Sequence, residues 1–301
     1  MEMSAIEECD GLFDFCDKHN KPILIEVDDL VHKLHDGIDE YNKQRQEKAW
    51  PIRQKLWARS SGFITSTPYL ANIYSSMFNL PAYVFDNYID FTDYRWNVER
   101  RLSDKIVIGW MGSPSHRKDL SILDDVIPFI LNKYDNVFFK FVGYVPDKYK
   151  DNPKVKYAFT DVNDWHIDKY PQGMDFDIGL IPLQHNDFNY AKSDIKFLEY
   201  SRLKIASIVS DISTYKRVVN KKTGLVCRNH KPDDWIKAIE KLIEDKTYRL
   251  TLAENAYEYT KNKRTIEGNI GKYKNILTKV LDHANKVQRH NTNLRYAGDC
   301  K

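Results

Sequence analysis

Short apolar runs, separated by helical or turn-forming stretches, recur along the middle of the chain. The runs are KIVIGWMG, VFFKFVGY, VKYAF, DIGLIPL, IASIVS and GLVC, between positions 105 and 227. Short, continuous apolar runs that are rich in β-branched side chains are typical of strands buried on both faces of a parallel sheet. The alternation therefore predicts a doubly wound, Rossmann-like domain over residues 101–265, with a helix at 118–133 after its first strand.

The first hundred residues show the same alternation on a smaller scale. Helical patterns at 6–19, at 39–60 and from Pro68 onward alternate with the strand-like runs KPILIEVDDL, GFITST and AYVF. This order predicts a second parallel sheet, with Asp28 and Asp29 at the carboxyl end of its first strand. The block at residues 1–100, which includes part of a linker, has few β-α units, so we expect an abbreviated N-terminal domain.

The segments that flank the larger domain have patterns of their own. The polar and aromatic stretch at 86–104 has no clear period, which is typical of an interdomain linker. Pro232, Asp233 and Asp234 predict the start of a helix with Trp235 facing inward. Two further helices are expected to reach about residue 287, and the tail after residue 290 is expected to be disordered. Residues 266–301 are thus predicted to form a C-terminal helix and a basic tail.

Composition narrows the class of protein. The 46 Lys and Arg residues nearly balance the 43 Asp and Glu residues, so the net charge of +3 gives no argument for binding nucleic acid. The four cysteines lack the spacing of a metal or redox site, and neither a secretory signal nor a membrane-spanning run is evident. We therefore expect a cytoplasmic protein with reduced thiols.

Basic residues gather near the C-terminus. They are Lys261, Lys263, Arg264, Lys272, Lys274, Lys279, Lys286, Arg289 and Arg295. A solvated helix face explains them most simply, and peripheral contact with a membrane surface is the alternative.

The stretch from Asn189 to Val219 carries the strongest candidate chemistry. If it is helical, its i, i+4 and i+7 spacing places Lys192, Lys196 and Glu199 on one face. Ser193 or Asp194 suits the N-cap of that helix, and the run at 205–209 predicts a buried strand whose end carries a second cap at Ser210 and Asp211. Cations, amide donors and one carboxylate at such an edge suit a phosphate-plus-ribose ligand. A solvated amphipathic helix with surface lysines is the alternative.

Two other motifs invite comparison with known sites. In GSPSHRKDL, Gly112 lets the backbone approach a ligand, and Arg117 and Lys118 add positive charge, although surface charge at a helix start explains them equally simply. Asp175 and Asp177 form a D-x-D motif, but they lie at the amino end of a strand, away from the predicted cleft. We therefore favour a structural role for the D-x-D motif over metal binding.

The order of these motifs resembles the donor site of GT-B glycosyltransferases. The similarity is carried by KSDIKFLEY, IASIVS, SDISTYKRVV and TGLVC, and it extends to IGWMGSPSHRKDL and FDIGLIPL upstream. It is closest to the retaining group called family 4, or glycosyl transferases group 1. The resemblance implies two Rossmann-like domains, the N-terminal one abbreviated here, and a C-terminal helix that crosses back to the first domain.

The resemblance also implies roles for individual residues. A basic residue, Arg117 or Lys118, and a later lysine, Lys192 or Lys196, would hold the donor diphosphate, and Glu199 would bind the ribose. The catalytic candidates are Asp28, Arg117 and Lys192. The donor-binding candidates are Gly112, Ser113, His116, Lys118, Gly143, Tyr144, Asn189, Ser193, Lys196 and Glu199.

Further positions extend this set. Residues 161–165 are candidates for holding the base, Thr65 and Thr67 for the acceptor side, and His185 for the sugar. Asp28 stands where related sequences have a histidine, and an N-cap role explains it equally well. Ala191 stands where related sequences carry a first glutamate, so Asp187 or backbone amides near 189–191 would have to substitute for it.

The predicted activity is transfer of a hexose from a nucleoside diphosphate sugar to a hydroxyl group. A UDP-sugar is favoured, a GDP-sugar is the alternative donor, and the acceptor would be a glycan, a lipid or a protein. The resemblance implies retention of configuration, without a metal or another cofactor. An inactive nucleotide-sugar-binding or assembly protein and a sugar-nucleotide epimerase are the competing hypotheses.

Overall fold

The computed structural model describes residues 3–34, 40–98, 103–158, 170–229 and 231–298, and it contains two parallel sheets. The N-terminal sheet has the order β1-β2-β3. Its strands are β1 (Leu24–Val27), β2 (Gly62–Thr65) and β3 (Ala82–Val84). Its helices are α1 (Met3–Lys18), α2 (Glu40–Trp57) and α3 (Pro68–Phe78). Pro68 begins α3, and the Thr67 hydroxyl caps that helix by accepting the N–H of Leu70.

The second sheet has six parallel strands in the order β6-β5-β4-β7-β8-β9. They are β4 (Ile106–Gly112), β5 (Val137–Gly143), β6 (Val155–Ala158), β7 (Ile178–Ile181), β8 (Ala206–Ser210) and β9 (Leu225–Cys227). The strand order reverses between β4 and β7, and at such a switch point the carboxyl ends of the strands border a crevice. Both predicted sheets, and so the expected pair of Rossmann-like units with a smaller N-terminal one, are confirmed.

Helices also form in the described residues after β4. They are α4 (Arg117–Leu120), α5 (Val126–Lys133), α6 (Tyr170–Gly173), α7 (Asp187–Ala191), α8 (Ile195–Arg202), α9 (Ser213–Val218), α10 (Pro232–Glu244), α11 (Lys246–Lys263) and α12 (Ile266–Gly298). Trp235 on α10 is fully buried, as predicted, and packs with Trp110 and Phe141 in one core. Tyr200 and Phe176 belong to a second apolar cluster, which includes the part of α8 that backs onto the crevice.

The helix expected at 118–133 is divided. A short α4 passes into a 3₁₀ turn at Ser121–Leu123, and α5 starts only at Val126. Pro128 has no N–H to donate to the Asp124 carbonyl, and it fits only because it lies in the first turn of a new helix. The break leaves α4 free to turn Asp119 inward, where this side chain is almost completely buried.

The C-terminal helix crosses back to the first domain. Tyr273 on α12 packs against Phe85 of the linker, with ring centroids 4.9 Å apart, and the linker forms a parallel bridge between Ile89 and Thr265. The helix continues to Gly298, so the expectation of disorder after residue 290 is wrong for residues up to 298. None of the helices in the described ranges is long and apolar enough to cross a bilayer.

Arg264, counted above among surface cations, is buried. Its guanidinium donates two hydrogen bonds to the Asp194 carboxylate, at 2.7 and 2.9 Å, and a third to the Asn87 carbonyl at 2.8 Å. Burial alone would lower the pKa of Arg264, but the bonds to Asp194 outweigh it and raise that pKa. One side chain thus connects the end of α11, the linker and the start of α8.

We expect Arg264→Met to lower the free energy of unfolding by roughly 3–5 kcal/mol, because it leaves the Asp194 carboxylate buried without its partner. Urea unfolding followed by circular dichroism measures this change. The control is Lys133→Met, which removes an exposed ion pair with Glu240 and should have a far smaller effect. Equal destabilisation by the two variants would contradict a structural role for the buried pair.

Candidate functional site

A cavity of about 560 Å³ lies where the two lobes meet, at the carboxyl ends of β4 and β7. Eight of the residues predicted from the sequence line it: Asp28, Gly112, Ser113, His116, Lys192, Ser193, Lys196 and Glu199. Its position is that of a ligand site at the switch point of an open parallel sheet. Its volume lies within the range of small-molecule sites.

Lys192 and Lys196 reach this cavity from different backbone elements. The prediction that one helix carries both lysines is wrong, because Lys192 ends α7 with extended backbone and α8 starts only at Ile195. The Lys192 carbonyl accepts the Thr214 hydroxyl at 2.7 Å, which fixes the backbone between the two helices. The two ammonium groups therefore approach one space from two directions.

The N-cap of α8 is one of the two residues predicted for it. Asp194 is the N-cap residue, but its carboxylate binds Arg264 and makes no hydrogen bond to the first turn. The side chain of Ser193 accepts a hydrogen bond from the Asn87 amide at 2.7 Å. The start of α8, from Ser193 to Lys196, therefore borders the cavity without a side-chain cap. A helix N-terminus in this state favours an anion.

A chain of three side chains determines the direction of Lys196. The buried Asp119 carboxylate lies 2.8 Å from His116 Nδ1, and His116 Nε2 lies 3.2 Å from Lys196 Nζ. The other oxygen of Asp119 accepts the Gln184 N–H at 2.8 Å and the Asn189 amide at 2.7 Å. A carboxylate at Nδ1 favours the tautomer that carries its proton there, so Nε2 is free to accept from the lysine.

The pKa shifts of these three side chains agree with this tautomer of His116. Burial and the charge of Lys196 lower the pKa of His116 to about 4, against the opposing bond to Asp119. Burial would raise the pKa of Asp119, but its hydrogen bonds outweigh burial and lower it. Burial and the neighbouring Lys192 lower the pKa of Lys196 to about 8. At pH 7 the chain is therefore carboxylate, neutral imidazole and ammonium.

The N-terminal lobe supplies the opposite wall of the cavity. The Asp29 carboxylate pairs with Lys192 at 2.8 Å, and the exposed Asp28 lies beside it at the end of β1. Asn87 of the linker completes this wall. Glu199 is only 8% exposed, and its carboxylate acts to raise the pKa of Lys196.

Packing explains why position 191 carries an alanine and not a glutamate. Ala191 is fully buried together with Phe188 in the core of the N-terminal lobe, and its carbonyl accepts the Thr67 hydroxyl at 3.2 Å. A glutamate at this position would place a carboxylate in an apolar contact between the lobes. Asp187 pairs with Lys33 and accepts the Tyr69 hydroxyl, so it is engaged away from the cavity.

Several predicted residues lie outside the cavity lining. Arg117 and Lys118 are exposed on α4. Gly143 ends β5, and the next residue, Tyr144, donates its N–H to the Gly112 carbonyl. The buried Asn189 supports Asp119 from behind. Their roles in donor binding stay predictions.

The remaining candidates are spread more widely. His185 lies 3.2 Å from the Tyr190 hydroxyl, Thr65 donates to the Thr67 carbonyl, and residues 161–165 lie outside the described residues.

Gly112 has a packing role, and its approach to a ligand stays a prediction. A Cβ on this residue would lie 2.6 Å from the ring of Trp110. Gly143, at φ 90°, adopts a conformation that only glycine takes without strain.

The D-x-D motif has structural partners. Asp177 accepts the Val107 N–H at 2.8 Å, and Asp175 pairs with Lys140 at 2.6 Å. Both carboxylates thus hold the amino-terminal end of the sheet, as favoured from the sequence. Within the described ranges, no group of three or more His, Cys, Asp or Glu residues has the arrangement of a metal site.

Sequence reasoning missed Asp119, Asn87 and Arg264. A signal existed for Asp119, which lies three residues after His116 on a short helix. Nothing local marks Arg264, because its partner Asp194 lies 70 positions away in the chain.

We expect His116 to stay neutral down to about pH 5, with its proton on Nδ1, because its pKa is about 4. Long-range ¹H–¹⁵N correlation NMR measures both the tautomer and the midpoint, and His116→Gln assigns the signal. Asp119→Asn should remove the preference for Nδ1. A midpoint near the ordinary value of about 6.5 would contradict the proposed chain.

Comparisons with known proteins agree with this geometry. Residues 105–245 match the family described as Glycosyl transferases group 1. TarM from S. aureus is 18% identical with a TM-score of 0.61, over 87% of this chain and 53% of that chain. HepE from Anabaena is 14% identical with a TM-score of 0.62, over 89% of this chain and 75% of that chain. Sucrose-phosphate synthase from Thermosynechococcus elongatus is 13% identical with a TM-score of 0.59, over 97% of this chain and 79% of that chain.

These similarities have defined limits. The chain spans about half of the length of TarM. No curated protein sequence matches the chain. At such low identities the solved structures establish the fold alone, and the family match concerns residues 105–245. The chain therefore has the GT-B fold of these structures, and its residues 105–245 are similar to the glycosyl transferases group 1.

Proposed function

We propose that the chain transfers a hexose from a UDP-sugar to a hydroxyl group of an acceptor, with retention of configuration and without a metal. The observation that carries the proposal is the convergence of Lys192, Lys196 and the uncapped start of α8 on one cavity between the lobes. Two ammonium groups and a helix N-terminus suit the diphosphate of a nucleoside diphosphate sugar. Structures of HepE with UDP-glucose, and of TarM with UDP and α-GlcNAc-glycerol, support a UDP-sugar over a GDP-sugar.

The proposed catalysis depends on where negative charge develops as the donor sugar is transferred. As the bond between the sugar and the diphosphate breaks, negative charge grows on the leaving oxygen, and preorganised cations stabilise it. Neutral His116 accepts a hydrogen bond from Lys196 and so holds this ammonium at the cavity wall without adding a competing positive charge. Glu199 is placed to accept the ribose hydroxyls.

The acceptor would approach from the N-terminal lobe. Asp28 lines the cavity and is exposed, so its carboxylate is available to orient an acceptor hydroxyl or to accept its proton. Retention requires the hydroxyl to attack the face from which the diphosphate departs. A glycan acceptor is favoured by the sugar ligands named for TarM, and lipid or protein acceptors are the alternatives. A cytoplasmic location and membrane contact through the basic C-terminal segment also stay predictions.

An inactive nucleotide-sugar-binding protein is the second candidate. The observation in its favour is the burial of Ala191 and Phe188 in the core of the N-terminal lobe, which leaves no carboxylate at the position of the first family glutamate. Such a protein would keep the donor cavity and bind nucleotide without turnover.

Incubation with UDP-glucose, UDP-galactose, UDP-N-acetylglucosamine and GDP-mannose separates the hypotheses. We expect steady release of UDP, stimulated by a glycan acceptor, and its loss in Lys196→Met and Glu199→Gln. Lys133→Met, a charge change at an exposed position on α5, is the matched control. Nucleotide binding without release would support the inactive protein, and a changed sugar on intact nucleotide would support an epimerase.

The affinity for UDP should fall as the pH rises from 7 to 9. Lys196, with a pKa of about 8, loses its proton in this interval and with it the attraction to the diphosphate. Isothermal calorimetry measures the change. Lys196→Met should weaken binding at pH 7 by about 1–3 kcal/mol, and its affinity should vary little with pH. Lys196→Arg keeps a permanent charge and should also flatten the profile. A decrease that persists unchanged in Lys196→Met would assign the effect to another group.

A further inference from the structure

A second cavity of about 290 Å³ adjoins the donor cavity on the side of the N-terminal lobe. It lies at the carboxyl ends of β1 and β2, and the linker and α12 close it. Its volume is near the lower limit of small-ligand sites, which leaves room for one ring rather than a chain of rings. Because α12 forms one wall, the cavity exists only where the C-terminal helix crosses back to the first lobe.

One wall of this cavity is apolar and aromatic. Phe85 packs against Tyr88 and Tyr273, with ring centroids 4.8 and 4.9 Å away. Ile266 and Ile270 lie one helical turn apart on α12, and both are about half exposed. Partly exposed apolar side chains that line a cavity, rather than a core, suit a ligand with an apolar face.

Carboxylates form another part of the cavity wall. Glu26, Asp28 and Asp86 all line the cavity. Asp86 pairs with Arg217 at 2.6 Å, and burial together with the charge of Glu26 raises the pKa of Tyr273. Among the described residues, no side chain binds the Asp28 carboxylate. Carboxylates accept hydrogen bonds from hydroxyl groups and repel anions, so this wall selects an uncharged ligand that is rich in hydroxyl groups.

The two cavities share a border. Asp28 and Asn87 line both of them, and Asn87 also donates to Ser193 at the start of α8. A ring in the smaller cavity therefore extends its hydroxyls over Asp28 toward the donor cavity. An apolar face, a hydroxyl-rich edge and this adjacency together describe a pyranose ring.

We propose that this cavity, with Tyr273 and Ile270 of α12 as its wall, binds the acceptor as the terminal ring of an uncharged glycoside. The inference rests on the proposed function, because it names the acceptor class for the same reaction. The ring packs its C–H face on the aromatic side chains and directs its hydroxyls to Asp28 and Glu26. The sugar can belong to a free glycan or to a lipid-linked one.

Saturation-transfer NMR tests binding directly and needs no turnover. The probes are methyl and n-octyl glycosides of glucose, galactose and N-acetylglucosamine, with methyl glucuronide as the anionic control. We expect a signal from at least one neutral glycoside and none from the glucuronide. Ile270→Trp should fill the cavity and remove the signal, whereas Leu281→Trp, a similar change farther along the exposed side of α12, should retain it. Octyl glycosides that bind tighter than methyl glycosides would identify a lipid-linked source, and equal binding a free glycan.

The outcomes separate this proposal from the proposed function. Absence of binding by every neutral glycoside would overturn the acceptor cavity, and so would a signal that survives Ile270→Trp. A thermal unfolding midpoint close to that of the wild type shows that Ile270→Trp is folded, and Tyr273→Ala is a second variant that removes an aromatic ring from the cavity wall and should weaken binding. If glycosides bind as expected but no nucleotide sugar turns over, the acceptor cavity stands and the transferase fails. If transfer occurs and Ile270→Trp does not change its rate, the transferase stands and the acceptor cavity fails.

Discussion

The buried ion pair of Asp194 and Arg264 joins α8 and the end of α11 to the linker between the lobes. Arg264 lies at the end of α11, its carboxylate partner starts α8, and its third hydrogen bond fixes the linker at Asn87. A pair so deeply buried needs hydrogen bonds to both charges, and here both carboxylate oxygens and both terminal nitrogens of the guanidinium have them. Asn87 in turn contacts Ser193 and borders both cavities, so the geometry of donor and acceptor sides depends on one guanidinium.

Asp119 supplies the second constraint, inside the larger domain. Its buried carboxylate draws the loop after β4 toward the loop after β7, because it binds His116 on one side and Gln184 with Asn189 on the other. His116 stays neutral because burial and the charge of Lys196 outweigh the bond to Asp119, and its Nε2 holds Lys196 at the cavity wall. The Asp119 carboxylate thus also determines which nitrogen of His116 faces Lys196, since it favours the proton on Nδ1.

Much of the fold could be predicted because its signals are local. Short apolar runs fixed the strands, and Pro68 and the acidic start of α10 marked helix beginnings. The candidate site was predictable to the extent that it lies at strand ends: Asp28, Gly112, Ser113 and the segment from Lys192 to Glu199 all reach one cavity. The predictions that were wrong concern backbone detail, such as the break in the helix after β4 and the place of Lys192 before α8, where a proline and a tertiary hydrogen bond to Thr214 prevail over helical spacing.

The sequence by itself determined the two parallel sheets, their order along the chain and the chemical character of the segment around Lys196, because periodicity and residue type act over a few positions. Only the tertiary structure decided which charges share a space. It buried Arg264 against the start of α8, brought His116 to the cavity wall and gave Ala191 a packing role. It also formed the second cavity from β1, the linker and α12. Electrostatic partners and cavity walls come from residues far apart in the chain, and no local pattern specifies their meeting.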